Sequence, residues 1–157
     1  MTIHARTITA AAAIALAASL APAALAGTSL PATLQADIAK THGDVQTLHD
    51  AIAADAAKIQ SDVTALQGTT DRRQIAATLH ADWKKLDADR RQEDTTILAD
   101  WKQLNADVKA ARAAHVGAGQ IARAVTQMTE ANLQLRADNA KAELAARQAS
   151  AALRQSK

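Results

Sequence analysis

Cysteine, phenylalanine and tyrosine are absent from this sequence, and its 157 residues include only two prolines and two tryptophans. Without cysteine there is no disulfide, no thiol to carry a lipid anchor and no thiolate to attack a substrate or hold a metal. The near-absence of aromatics removes the side chains that usually fill thick globular cores, since each ring takes roughly 150–250 Å² out of water. What remains is alanine, leucine, isoleucine and valine. These suit the narrow seam between closely packed helices, and alanine has the highest intrinsic helix propensity. The expected class is all-α: long amphipathic helices forming an antiparallel three-helix bundle or a coiled-coil-like rod.

The first 26 residues stand apart. Arg6 precedes an apolar run from Ile8 to Ala21, Pro22 closes it, and Ala24-Leu25-Ala26 supplies small residues for a peptidase. This pattern is that of a secretory signal peptide cleaved after Ala26, leaving residues 27–157 as a single helical domain. The run is shorter than the ~20 residues that span a bilayer, and nothing later is apolar enough to cross one. A periplasmic or secreted destination is expected, with no transmembrane segment in the mature chain. Loss of Arg6 leaves 17 basic against 16 acidic side chains, a net charge of +1. Nucleic-acid binding needs a concentrated basic face, and none is present.

Three helices are legible, at about 30–67, 71–115 and 120–154. The first carries Leu30, Leu34, Ile38, Thr41, Val45, Leu48, Ile52, Ala56, Ile59, Val63 and Leu66 at spacings of three or four. That is one continuous stripe along a straight α-helix. Ser29 is the expected N-cap, Gly68 the expected left-handed C-terminal cap, and Gly43 the expected mark of a close helix approach. The second begins with Asp71 and Gln74, spaced as a capping box. Its stripe runs Ile75, Leu79, Trp83, Leu86, then Ile97, Trp101, Leu104, Val108 and Ala111. Between them lies a polar gap from Asp89 to Asp94, with Arg90 on the stripe itself. Either one helix continues through a polar layer or a new one starts at Asp94; the gap holds no Gly or Pro, which favours continuity. Gly117-Ala118-Gly119 ends the second helix after His115. The third has a weaker stripe (Ile121, Val125, Met128, Leu135, Ala142, Ala146, Ala149, Leu153) with Asn132 and Asn139 near it, and its last third is expected to fray.

Segments 34–48 and 52–66 share seven of fifteen residues, and segments 79–89 and 97–107 share seven of eleven. Both matches fall at an offset of 18, five helical turns, so each segment returns to the same face about 27 Å further on. The shared theme is Ala-Asp with Lys three residues later and Asp seven residues later. The first helix region, 27–66, has five Asp and two Lys, a net of −3, whereas 117–157 has six basic and three acidic residues, a net of +3. The two are expected to attract when side by side.

Trp83 and Trp101, each in Asp-Trp-Lys, are the candidate partner-binding residues, because tryptophan is enriched at binding hot spots. The competing reading places them in the core as ordinary stripe residues. His42, His49, His80 and His115 offer no i, i+4 pair, so they are expected to be solvated and no metal or cofactor is expected. The aspartates are expected to form a solvated face with local Asp–Lys pairs. No Gly-x-Ser-x-Gly and no phosphate-cradling glycine loop occurs, and the chain is not expected to be an enzyme. The expected role is an exported structural or interaction protein that self-associates as a homo-oligomer or binds a protein partner through its apolar stripe. A lipid- or membrane-surface helical protein is one alternative, although peripheral membrane contact is not favoured by the small net charge. A periplasmic chaperone or stress protectant is the other.

Overall fold

A computed structural model describes residues 30–156. The expected signal peptide, residues 1–26, and the expected cap Ser29 lie outside them. Three helices account for nearly all of the described chain: α1 (Ala32–Ala65), α2 (Arg72–Ala113) and α3 (Ala118–Gln155), with a single 3-10 turn, Leu66–Gly68, before α2. No strand occurs among the described residues.

Every residue of the first stripe, from Leu30 to Leu66, is buried. α2 and α3 both lie along α1, covering it from two sides, while they approach each other closely at few points. Side-chain size accounts for this asymmetry. Ala56 of α1 and Ala146 of α3 are both fully buried in one core cluster, and small residues let helix axes draw together. The facing surfaces of α2 and α3 carry Trp83, Arg90, Arg136 and Arg147, whose long side chains stand between the two backbones.

The core has two apolar ends. One gathers Ile59, Val63, Ile75, Leu79, Leu86 and Leu153 near the α1–α2 turn. The other gathers Leu34, Ile38, Leu104, Ile121 and Met128. Between them α2 passes unbroken through the Asp89–Asp94 gap, as the lack of Gly and Pro led one to expect.

The helix ends differ from expectation in instructive ways. Pro31, not Ser29, stands at the start of α1; its carbonyl accepts the Gln35 N–H at 3.0 Å. Asp71 does cap α2 as expected, accepting from the Arg73 and Gln74 N–H groups at 2.9 and 3.2 Å. No described glycine takes a positive φ. At the end of α2 the left-handed position belongs to His115, with φ 57°. The Val116 N–H reaches Ala111 and the His115 N–H reaches Arg112, both at 3.1 Å, closing the helix in a Schellman motif. Gly43 faces open space and marks no close approach. The last third of α3 is helical to Gln155 and docked through Ala146, Ser150 and Leu153, where fraying was expected.

Candidate functional site

The Ala-Asp segments bring charged groups together along the α1–α2 seam. Lys58 of α1 meets Asp82 of α2 at 2.7 Å, and Lys85 of α2 meets Asp55 of α1 at 2.7 Å. The two pairs are reciprocal: each helix presents an Asp and, three residues later, a Lys to its antiparallel neighbour. Lys40 repeats the contact with Asp100 further along. Each lysine also holds the Asp four residues on, as in Lys58–Asp62 at 2.6 Å and Lys85–Asp89 at 2.9 Å. The hydrogen bonds that Lys40, Lys58 and Lys85 donate to these carboxylates hold the lysine pKa values above their ordinary range. Lys58 in turn holds Asp62 below the usual carboxylate range.

This corrects the expectation of a solvated aspartate face. The local pairs form, but Asp55, Asp82 and Asp100 are buried. The lysines remain more than half exposed, at 55–59%. With its lysine in water, each rung adds little as a surface pair. Its larger effect is to neutralise a carboxylate at the edge of the core, where an unpaired one is costly.

One rung departs from the pattern. The residue facing Asp37 by the same register is Gln103, where the matching segment has Lys85. Gln103 donates instead to Asp107 at 3.2 Å. Asp37 is left beside Asp107, and the hydrogen bond shared between the two carboxyls raises the Asp37 pKa above its ordinary 3.8, helped by desolvation and charge repulsion and opposed by Gln103 and Lys40. A raised carboxyl pKa means that the folded chain holds this proton more tightly than the unfolded chain does. The resulting stability is complete below the ordinary value and is lost as pH rises through the raised one. Substituting Gln103→Lys is expected to complete the rung, raising stability near neutral pH by about 0.5–1 kcal/mol. Thermal melts across the acid range should then lose the component that falls with rising pH. An unchanged profile would mean that Asp37 and Asp107 do not sense position 103.

The α2–α3 seam holds the most polar interior. A groove of about 590 Å³ opens there, and its floor includes Glu93, Asn139 and Glu143. All three are buried. The pairing is again reciprocal. Arg90 of α2 places Nε 3.0 Å from Glu143 Oε1 of α3, and Arg136 of α3 places Nε 3.5 Å from Glu93 Oε1 of α2. Neither contact is aligned as a hydrogen bond, so these are charge contacts across a gap. Both polar atoms of the Asn139 amide are buried without a hydrogen-bond partner among the described residues. Each glutamate in its floor faces an arginine, so the groove neutralises charge and fixes helix order.

Trp83 and Trp101 are partly buried on one face of α2, each packed against a different apolar end of the core. The Arg147 guanidinium lies 5.1 Å over the Trp83 ring, a cation–π contact that links α3 to α2. Beside it a second groove of about 870 Å³ is lined by Ile75, Ala76, His80, Trp83 and Arg154. Trp83 thus has one side in the core and one on an open groove.

Two of the four described histidines depart from the expectation of solvation. His42 Nδ1 pairs with Asn132 Oδ1 at 2.9 Å, and His49 Nδ1 with the Leu135 carbonyl at 3.1 Å, both across the α1–α3 seam. His80 and His115 are exposed. The opposite net charges of the first and third helices produce no ion pair between α1 and α3 among the described residues; these neutral hydrogen bonds stand there instead. The seam contacts of Asn132, Asn139 and Glu143 escaped the sequence reading, although the asparagines' nearness to the weak stripe was their one signal. Among the described residues no group of three or more His, Asp or Glu is placed to hold a metal ion, and no helix is long and apolar enough to cross a membrane. No protein-family model matches the chain, and neither a curated protein nor a solved structure matches it.

Proposed function

We propose that this chain is an exported interaction protein without enzymatic activity, sent out by residues 1–26 and folded thereafter as an antiparallel three-helix rod. The observation that carries this reading is where the recurring charged groups go. The Asp and Lys residues that recur through the sequence fasten helix to helix, and none converges on an open pocket with a reactive group. A device whose repeated chemistry builds its own scaffold acts through its surface.

The same geometry changes which surface that is. The long stripe of α1 is covered by α2 and α3, so it is not the face that meets a partner. This also weighs against the lipid-surface alternative, in which amphipathic helices keep their apolar stripe for the membrane. The outward faces of α2 and α3, including the open side of Trp83, are what remain for recognition.

Circular dichroism on residues 27–157 tests the reading. Full helicity and a cooperative melt are expected in buffer, unchanged by anionic liposomes. Low helicity that liposomes raise would replace it with the lipid-surface alternative. The exported fraction is expected to contain a chain beginning at Gly27, whereas intact chain confined to the cytosol would overturn the export part.

A further inference from the structure

The outer side of α3 carries an apolar line that no other described residue covers. Leu133 and Leu144 are 60% and 56% exposed, the two most outward leucines of that helix. Ala137 and Ala140 lie between them and are exposed as well. Taken from Ala146, which points into the core, all four fall on the opposite side of the helix by the 100° step of an α-helix. The line continues at the same spacing to Glu130 before Leu133 and to Arg147 after Leu144, both exposed.

The order of these residues is its own reverse. From Glu130 the steps are three, four, three, four and three, and the chemistry runs acid, leucine, alanine, alanine, leucine, base. Laid antiparallel on a second copy about a two-fold axis between residues 138 and 139, leucine meets leucine, alanine meets alanine, and Glu130 meets Arg147 at both ends. The central alanines permit helix axes to close to about 8 Å. On one flank Lys141 comes opposite Gln134, so no like charges meet there. Glu130 has no ion-pair partner among the described residues, and Arg147 is engaged only by the Trp83 ring. Leu98 of α2, 58% exposed, stands level with Leu133, since Arg136 and Asp94, one turn away on each helix, are in contact.

We propose that this face of α3 is a self-association surface whose occupant is α3 of a second copy, antiparallel and two-fold related. An interface of this kind is isologous, the same patch serving both copies. Its apolar and charged layers extend over about 26 Å of helix, which places it at the small, reversible end of protein interfaces. Arg147 would then hold Trp83 on one side and the partner's Glu130 on the other. The inference rests on the interaction-protein reading and names its partner.

Sedimentation equilibrium of residues 27–157 from about 10 µM to about 1 mM tests it. A monomer–dimer equilibrium is expected. Glu130→Arg or Arg147→Glu alone sets like charges against each other at both ends and should weaken the dimer at least about tenfold. The combined E130R/R147E chain restores both pairs in reverse and should recover to within a few-fold. Leu144→Asp, fully helical by circular dichroism, should be monomeric throughout. A wild-type chain that stays monomeric at the highest concentration overturns the proposal. So does a dimer indifferent to these substitutions, or a double exchange as weak as the singles. A folded monomer unmoved by liposomes would remove this surface and leave the interaction-protein reading standing; helicity that depends on liposomes would remove the reading itself.

Discussion

Replacing Arg90 by leucine is expected to destabilise the fold by about 2–4 kcal/mol at neutral pH, although the substitution places an apolar residue on an otherwise apolar stripe. Arg90 is what neutralises Glu143, whose side chain is only 5% exposed on the floor of the α2–α3 groove. Breaking such a pair from one side leaves a charge in a poorly solvated site, and the penalty belongs to the charge left behind. One further result follows. The double substitution R90L/E143L should return to within about 1 kcal/mol of the parent or exceed it, since an apolar pair suits the stripe better than an imperfectly aligned ionic one. Urea melts with unchanged slope would measure all three chains on one scale. An R90L chain as stable as the parent would mean that water in the groove already solvates Glu143.

Leu79→Ala should cost about 3–4 kcal/mol, or roughly 10–15 °C in melting temperature for a chain of this size. Leu79 is fully buried among Ile59, Val63, Ile75 and Leu86, in the apolar end nearest the α1–α2 turn. The chain has no phenylalanine or tyrosine, and Trp83, the large residue packed on this end, has its ring engaged by Arg147 at the edge of the core. Leu144→Ala on the outer face of α3 provides the contrast, with less than about 0.5 kcal/mol expected for the dilute monomer. Thermal melts at low concentration would compare the two. Equal losses would contradict the assignment of inner and outer faces.

The stripe of α1 could be read from sequence in full because both of its flanking helices press on the same residues. Periodicity alone then names the buried set. On α2 and α3 the reading was partial, for a physical reason. Each of these helices is covered by α1 on one side and by the long side chains of the other helix across a gap, so its buried arc is wider than its apolar stripe. Asp82, Asp100, Asn139 and Glu143 fall in that extra arc. A hydrophobic pattern cannot announce them, because they are polar residues beside the stripe, and the partners of Asp82, Asp100 and Glu143 sit on a different helix. The spacing of Asp and Lys was visible; that Lys58 and Lys85 reach across to Asp82 and Asp55 depends on helix register, which local pattern does not set. Trp83 packs on the core as a stripe residue, with its other side on a groove.

The short turn at residues 66–71 has a consequence for how the hairpin chooses among near-equivalent alignments. The matching segments recur after five whole turns. Sliding α2 along α1 by one segment therefore sets aspartates and lysines opposite each other again, with the apolar stripes still in phase. Taken as two separate rods, the helices face a degenerate vernier with several good settings. Between Gly43 and Gly117 the chain contains one glycine, Gly68, and no proline, and Asp71 starts the next helix three residues later. Every other setting would move the bend about nine residues into uninterrupted helix. Gly68 therefore acts as a pawl: it has open space around it and touches little, yet it selects one notch from a set that the ladder alone leaves tied.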